Sequence, residues 1–241
     1  MKITDFKFVR LETVTSTNDY LKNLVKQGNC EPKIVIAESQ TKGRGTKSRS
    51  FISEKGGLYL SILLPPCDPR FITPMTAVAV SETVEKISGK ATQIKWVNDI
   101  YLSGKKLSGI LCETVFSNNN DKPYVIVGIG VNLFKPKSDL SFEIKDIAVS
   151  LFDSFDYEIK ERFSNSLVNN FLEFFNSLSD KSFLEKYRDK NFVLGKSVTV
   201  ILNNTETDAV AISIDDECRL VVKFSDGTEK ALNSGEIILK K

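Results

Sequence analysis

Near residue 192 the chain changes texture, and this change constrains its fold more than any single motif does. Beyond it, KSVTVIL, DAVAISID, RLVVKFS and EIILK read as four short strands separated by turns such as Asp226-Gly227. Consecutive short strands with no helix between them predict a small all-β barrel over residues 192–241. Before it, strand-like and helix-like segments alternate, which predicts a larger sheet-and-helix domain over residues 1–191. No flexible linker separates the two parts, so they are expected to pack against each other.

Within the first part, residues 6–14 alternate as a strand does, and Ser16 or Thr17 offers an oxygen to cap a helix over 17–28. KIVIAE at 33–38 is a β-branched run that reads as a buried strand, and GLYLSILL at 57–64 is a further strand, ended by Pro65-Pro66. Residues 73–88 suit a helix with Pro74 in its first turn. TQIKW precedes two strands joined at Ser103-Gly104-Lys105. SNNNDK at 117–122 reads as a loop, and PYVIVGIGVNL as a returning strand. Residues 144–190 look helical, with Phe163, Leu167, Phe171, Phe174, Phe175 and Leu178 forming a core stripe.

The chain has no histidine. That removes Ser-His-Asp and Cys-His nucleophiles and every histidine-based metal site, leaving charge stabilisation, positioning, lysines and carboxylates. A carboxylate that attacks a phosphate needs no general base, so acyl-phosphate activation fits the limit. The net charge of +2 gives no reason to expect nucleic acid as a partner. No apolar stretch reaches membrane-spanning length, and MKITDFKFVRLE lacks the apolar centre of a secretory signal. Cys30, Cys67, Cys112 and Cys218 form no CxxC pair and read as free thiols in a reducing compartment, the cytoplasm.

Three segments carry chemistry. In ESQTKGRGTKSRSF at 38–51, two glycines flank Arg44, with Lys42, Lys47 and Arg49 nearby. Glycines allow close backbone approach and guanidinium groups grip phosphate or carboxylate oxygens, so the segment reads as an anion site. With almost no apolar content it is expected to be mobile when empty. The bland alternative is a solvated basic loop, and the spacing is not that of a Walker A loop. In KWVNDIYLSGKKLSGILCE at 95–113, Lys95, Asn98, Asp99 and Lys106 gather around a hairpin, with Gly109 opening the next strand. A lysine there is usually an edge-strand guard and an Asn-Asp pair usually turn chemistry. In GIGVN at 128–132 the glycines admit a ligand to the strand and Asn132 presents an amide, although strand glycines often mark a bulge.

In this order, GRG with trailing basic residues, K-W-x-N-D followed by K-L-x-G-I-L-x-E, and G-I-G-x-N closely resemble the biotin protein ligases. T-S-T-N-D at 15–19, A-E-x-Q at 37–40 and S-G-E-I at 234–237 extend the likeness along the chain. The resemblance implies an α+β fold, with a mixed-sheet catalytic domain of the biotin/lipoate ligase type and a small SH3-like C-terminal β-barrel. It implies activation of biotin by ATP to biotinoyl-5'-AMP, with magnesium held mainly by the ATP phosphates and not by a protein cage. The biotin then passes to a lysine of a biotin carboxyl carrier protein. Lipoate-type ligases share the catalytic fold but lack the GRG and KWxND pairing, and rank second. A non-catalytic biotin or nucleotide sensor is the rival from another class, and Lys106 with an intact GRG argues against it.

By the same resemblance, Ser16, Thr17, Asn18 and Gln40 line the biotin ureido pocket. Gly43, Arg44 and Gly45 close over biotin, with Arg44 near the reacting groups; Lys106 contacts the biotin carboxylate and α-phosphate, and Gly109 lies beside biotin. Arg49, Phe51, Lys95, Asn98, Asp99 and Asn132 fall around ATP. A cation 4 Å from an anion contributes about 4 kcal/mol at an effective dielectric constant near 20. The chain departs from the family at Val97, where proline is common, and at Thr46 and Ser48, which replace an arginine and a glycine. Phe51 stands where a tryptophan is frequent. No winged helix-turn-helix is expected before Thr15, so the reading is a ligase alone, without nucleic-acid or membrane partners; a sheet-edge homodimer is left open.

Overall fold

The alternating apolar segments of the first part build a single large sheet in the computed structural model, which describes residues 1–117, 121–136, 147–202 and 205–240. Its strands are β1 (Lys7–Val14), β2 (Lys33–Gln40), β3 (Leu58–Leu64), β4 (Gln93–Lys95), β5 (Asp99–Leu102), β6 (Lys105–Val115) and β7 (Tyr124–Val131). Their order is β1-β2-β3-β7-β6-β5-β4. Helix α1 (Thr17–Lys26) crosses between β1 and β2, which therefore pair in parallel; the other pairings are antiparallel, and the sheet is mixed. The β5–β6 turn is tight because Ser103 (φ 51°) and Gly104 (φ 77°) both take left-handed conformations, which match the twist of the flanking strands.

The two faces of the sheet follow the period of two along each strand. Ile34, Ile36, Leu60, Ile62, Val125 and Val127 face the main core with α2 (Ile72–Ser88) and α3 (Tyr157–Asn176). The intervening Val35, Leu63 and Ile126 meet Leu21 and Val25 of α1 on the opposite face. Every residue of β3 is buried, as a central strand covered on both faces requires.

The long helix expected over 144–190 is shorter and divided. Residues 144–146 lie outside the described residues. Ala148 bridges Lys106 and Phe152 bridges Phe134, so this segment adds to the sheet rim. Helix α3 starts only after Asp156, whose carboxylate accepts the Ile159 amide at 3.0 Å. A 3-10 turn, Leu178–Asp180, separates it from α4 (Phe183–Asp189). Part of the loop expected at 117–122, residues 118–120, also lies outside the described residues.

The C-terminal part is a five-stranded antiparallel sheet: β8 (Ser197–Leu202), β9 (Thr205–Ile214), β10 (Leu220–Phe224), β11 (Glu229–Leu232) and β12 (Glu236–Leu239). The order β11-β10-β9-β8-β12 leaves two edges, so among the described residues the barrel is not closed. The reading of four strands missed β11, whose Glu229 and Lys230 are exposed and give no apolar alternation. The two parts share one apolar cluster, in which Val198, Ala211 and Leu220 join residues of the large sheet. Trp96 Nε1 donates to the Cys218 carbonyl at 3.1 Å, and Arg188 Nε to the Ile214 carbonyl at 2.7 Å.

Candidate active site

Pairing register lines up one row of residues across five strands on the α1 face. Tyr59 pairs with Gly130, Gly130 with Gly109, Gly109 with Asp99, and Asp99 with Lys95. The next row carries Ser61, Gly128 and Leu111. Two glycine positions in adjoining rows therefore form a lowered floor. A β-carbon on Gly128 would lie 2.3 Å from Asn18 Oδ1, and one on Gly130 would lie 2.7 Å from the Phe51 ring. The GIGVN glycines thus admit an amide and an aromatic ring to the sheet surface.

The amino end of α1 forms one wall. Ser16 caps the helix, accepting the Asp19 amide at 3.4 Å. Thr17 donates from its amide (2.8 Å) and hydroxyl (3.1 Å) to Gln40 Oε1, while Gln40 Nε2 donates to Ser53 Oγ at 2.8 Å. Ser61 Oγ sits 2.7 Å from both Thr17 Oγ1 and Asn18 Oδ1. Asn18 Nδ2 donates to Glu113 Oε2 at 2.9 Å. Ser16, Thr17, Asn18, Ser53 and Ser61 are buried and Gln40 and Glu113 half-buried, a set with donors and acceptors in fixed directions, suited to a neutral polar ligand.

The 41–53 segment folds over the floor as a hairpin. Gly45 N donates to the Arg49 carbonyl at 2.7 Å and Phe51 N to the Gly43 carbonyl at 2.9 Å. The expected lack of an apolar anchor is corrected here: Phe51 lies on the Gly109–Gly130 pair and meets Tyr59 edge-on, ring centroids 6.4 Å apart. Gly43 is buried, and any β-carbon there would strike the Phe51 carbonyl and Ser53 Oγ at 2.3 Å. Thr46 Oγ1 accepts from Arg49 Nη2 at 3.1 Å. A hollow of about 400 Å³ is lined by Thr41, Lys42, Gly43, Arg44, Arg49 and Ser50. A hollow of similar size beside Phe6 and Phe8 shares no residue with this site.

Charges divide the site into two ends. At the α1 end, Arg44 and Lys22 face Asp19 and Glu113, in balance. Burial opposes the Arg44 charge, but Glu113 and Asp19 outweigh it and push the guanidinium pKa up. At the hairpin end, Lys106 Nζ lies 2.8 Å from Asp99, while Arg49 (2.9 Å) and Lys47 (3.6 Å) reach Glu236 of the C-terminal sheet. Burial pushes the Lys95 ammonium pKa down, Asp99 and Glu236 partly restore it, and Lys106 and Arg49 depress it further. Cations outnumber carboxylates at this end, so it is the end that attracts an anion.

Asn98 and Asn132 serve the hairpin itself. Asn98 Nδ2 donates to the Ile110 carbonyl at 2.9 Å and Asn132 Nδ2 to the Lys106 carbonyl at 3.4 Å, holding the strand that carries Lys106. The Trp96–Val97 peptide before Asn98 is cis. Asp19, Lys22, Ser61, Glu113 and Glu236 escaped the sequence reading. Asp19, Glu113 and Glu236 close quoted motifs or sit inside them, and Ser61 is the lone polar residue in a buried strand. Those were the available signals. Among the described residues no group of three or more carboxylates and cysteines is placed to hold a metal ion, and no helix is long and apolar enough to cross a membrane.

Residues 11–132, which contain the site from Ser16 to Asn132, match the Biotin/lipoate A/B protein ligase family. The chain belongs to that family. Residues 193–240 match the Biotin protein ligase C terminal domain. The bifunctional ligase/repressor BirA of Bacillus spizizenii is 39% identical over 145 residues, 58% of this chain and 44% of that protein. Its counterpart from Bacillus subtilis is 31% identical over 240 residues, 91% of this chain and 70% of that protein. A biotin protein ligase from Aquifex aeolicus, solved with biotin and ATP, superposes with a TM-score of 0.76 at 29% identity, covering 98% of this chain and 99% of that one. The ligase fold expected from the motifs is therefore the fold the chain adopts, with an open C-terminal sheet.

Proposed function

We propose that this chain is a biotin–protein ligase, with a catalytic domain over residues 1–191 and a C-terminal domain over 192–241. The observation that carries the reading is the two-ended site: a neutral hydrogen-bonding pocket at α1 and a cation-rich end at the hairpin, in a chain of this family. A molecule with a cyclic urea at one end and a carboxylate at the other matches both ends at once.

In this reading Ser16, Thr17, Asn18 and Gln40 build the ureido pocket, and Gly43, Arg44, Gly45 and Gly109 enclose the rest of biotin. Arg49, Phe51, Lys95, Asn98, Asp99 and Asn132 surround or support the ATP site. Magnesium arrives with the ATP phosphates. A biotin carboxylate oxygen attacks the α-phosphorus, the bond to pyrophosphate breaks, and biotinoyl-5'-AMP forms. Lys106 and Arg44 offset the repulsion between carboxylate and phosphate and the charge of the pentavalent state. A lysine amine of a biotin carboxyl carrier protein then attacks the carbonyl carbon, and AMP leaves. The four free cysteines suit a reducing compartment, and we place the protein in the cytoplasm. The edge strand β1 offers a surface through which a homodimer would pair.

The test is incubation with ATP, magnesium and biotin. Mass spectrometry should find biotinoyl-5'-AMP, and a carrier domain added afterwards should gain one biotin. Absence of the adenylate under saturating substrates would reject the reading.

A further inference from the structure

Arg44 ends in a fork divided between two carboxylates: Nη1 lies 2.5 Å from Asp19 Oδ1 and Nη2 lies 3.0 Å from Glu113 Oε1. Glu113 is the better-held partner. It sits on β6, paired with Ile126 of β7, and its side chain is only 16% exposed. The same carboxylate receives Lys22 Nζ at 2.5 Å and Asn18 Nδ2 at 2.9 Å, both from α1. Asp19, Lys22 and Asn18 are fixed by the helix and Glu113 by the sheet, so Arg44, on the 41–53 segment, is the member that can leave.

Departure of Arg44 would leave Lys22 alone facing two carboxylates, 2.5 Å from Glu113 and 3.9 Å from Asp19. That unbalanced negative charge is half-buried, which draws Arg44 back. Two of the five N–H groups of the guanidinium are used by the carboxylates, and the others remain for ligand oxygens.

We propose that Glu113 is a positioning residue which, with Asp19, latches Arg44 and so holds the 41–53 segment closed over the site, setting how long the activated acyl-adenylate is retained. The latch itself needs no ligand; its consequence for the adenylate rests on the ligase reading above.

The experiment compares wild type with Glu113→Gln, Arg44→Ala and the double variant. Hydrogen exchange of the Gly45 and Phe51 amides reports opening of the segment in the free protein. Glu113→Gln is expected to speed that exchange about tenfold, and to speed escape of biotinoyl-5'-AMP by a similar factor. In the Arg44→Ala background Glu113→Gln should add nothing to either rate, because it acts through Arg44. Unchanged exchange in Glu113→Gln, or an equal added effect without Arg44, overturns the proposal. Should Glu113→Gln fail to fold, Asp19→Asn, which removes the other carboxylate, must give faster exchange in the same Arg44-dependent way, and its failure to do so rejects the latch. If wild type forms no adenylate, the ligase reading falls, while the exchange rates still decide the latch.

Discussion

Arg49 and Glu236 join the active-site hairpin to the C-terminal sheet, Nη1 lying 2.9 Å from Oε1. Both side chains are substantially exposed, 57% and 29%, so the pair is a weak tether that contributes under about 1 kcal/mol to folding. Glu236→Ala is expected to leave the melting temperature nearly unchanged but to increase protease cutting within residues 42–50. A large drop in melting temperature would instead make Glu236 a structural support of the C-terminal sheet.

Lys106→Ala should remain folded but lose some stability, since both side chains keep part of their surface in solvent, 33% and 20%, while the Asp99 Oδ1 that Lys106 faces is buried with no hydrogen-bond partner. Loss of a cation aimed at developing charge costs about 2.7–4 kcal/mol, or roughly 10²–10³ in rate. Adenylation measured by pyrophosphate release should fall by that order. A normal rate in a normally stable variant would reduce Lys106 to an edge-strand charge.

Gly130→Ala places a methyl group 2.7 Å from the Phe51 ring. The ring must move, at a cost of about 1–3 kcal/mol in stability. Adding Phe51→Ala should recover much of that loss, a coupling measurable by chemical denaturation of the single and double variants. Additive losses would mean that the ring does not occupy the glycine floor in solution.

Glu113 governs a pH effect whose sign is fixed. Burial alone would raise its carboxyl pKa, but the Lys22 and Asn18 hydrogen bonds and the Lys22 and Arg44 charges overcome this and hold it below the ordinary value. A carboxyl with a folded pKa below its unfolded one, about 4.3, contributes stability above that value and loses it as pH falls through the folded pKa. The stability difference between wild type and Glu113→Gln should therefore be present at neutral pH and shrink on acidification. Urea unfolding across this range measures it; a difference that grows toward acid would contradict the assignment.

Local pattern determined much of this protein. The β-branched run of β2, the apolar run of β3, the Ser103-Gly104 turn and the cap at Ser16 are decided by neighbours a few residues apart, and they formed as their spacing indicates. The ordered motifs also named the family and most of the proposed ligand contacts. Tertiary structure decided what depends on partners far along the chain. Residues 148–152 became rim bridges because Lys106 and Phe134 were there to pair with. Strand β11 exists because β10 supplies its hydrogen bonds, whatever its own polarity. The row from Tyr59 to Lys95 arises from the register of five strands, and Glu113 reaches Arg44, 69 positions away, only because the 41–53 segment folds back over the face of the sheet from which Glu113 projects. A sequence displays periodicity and capping directly; register and charge neighbours appear only when the strands pair.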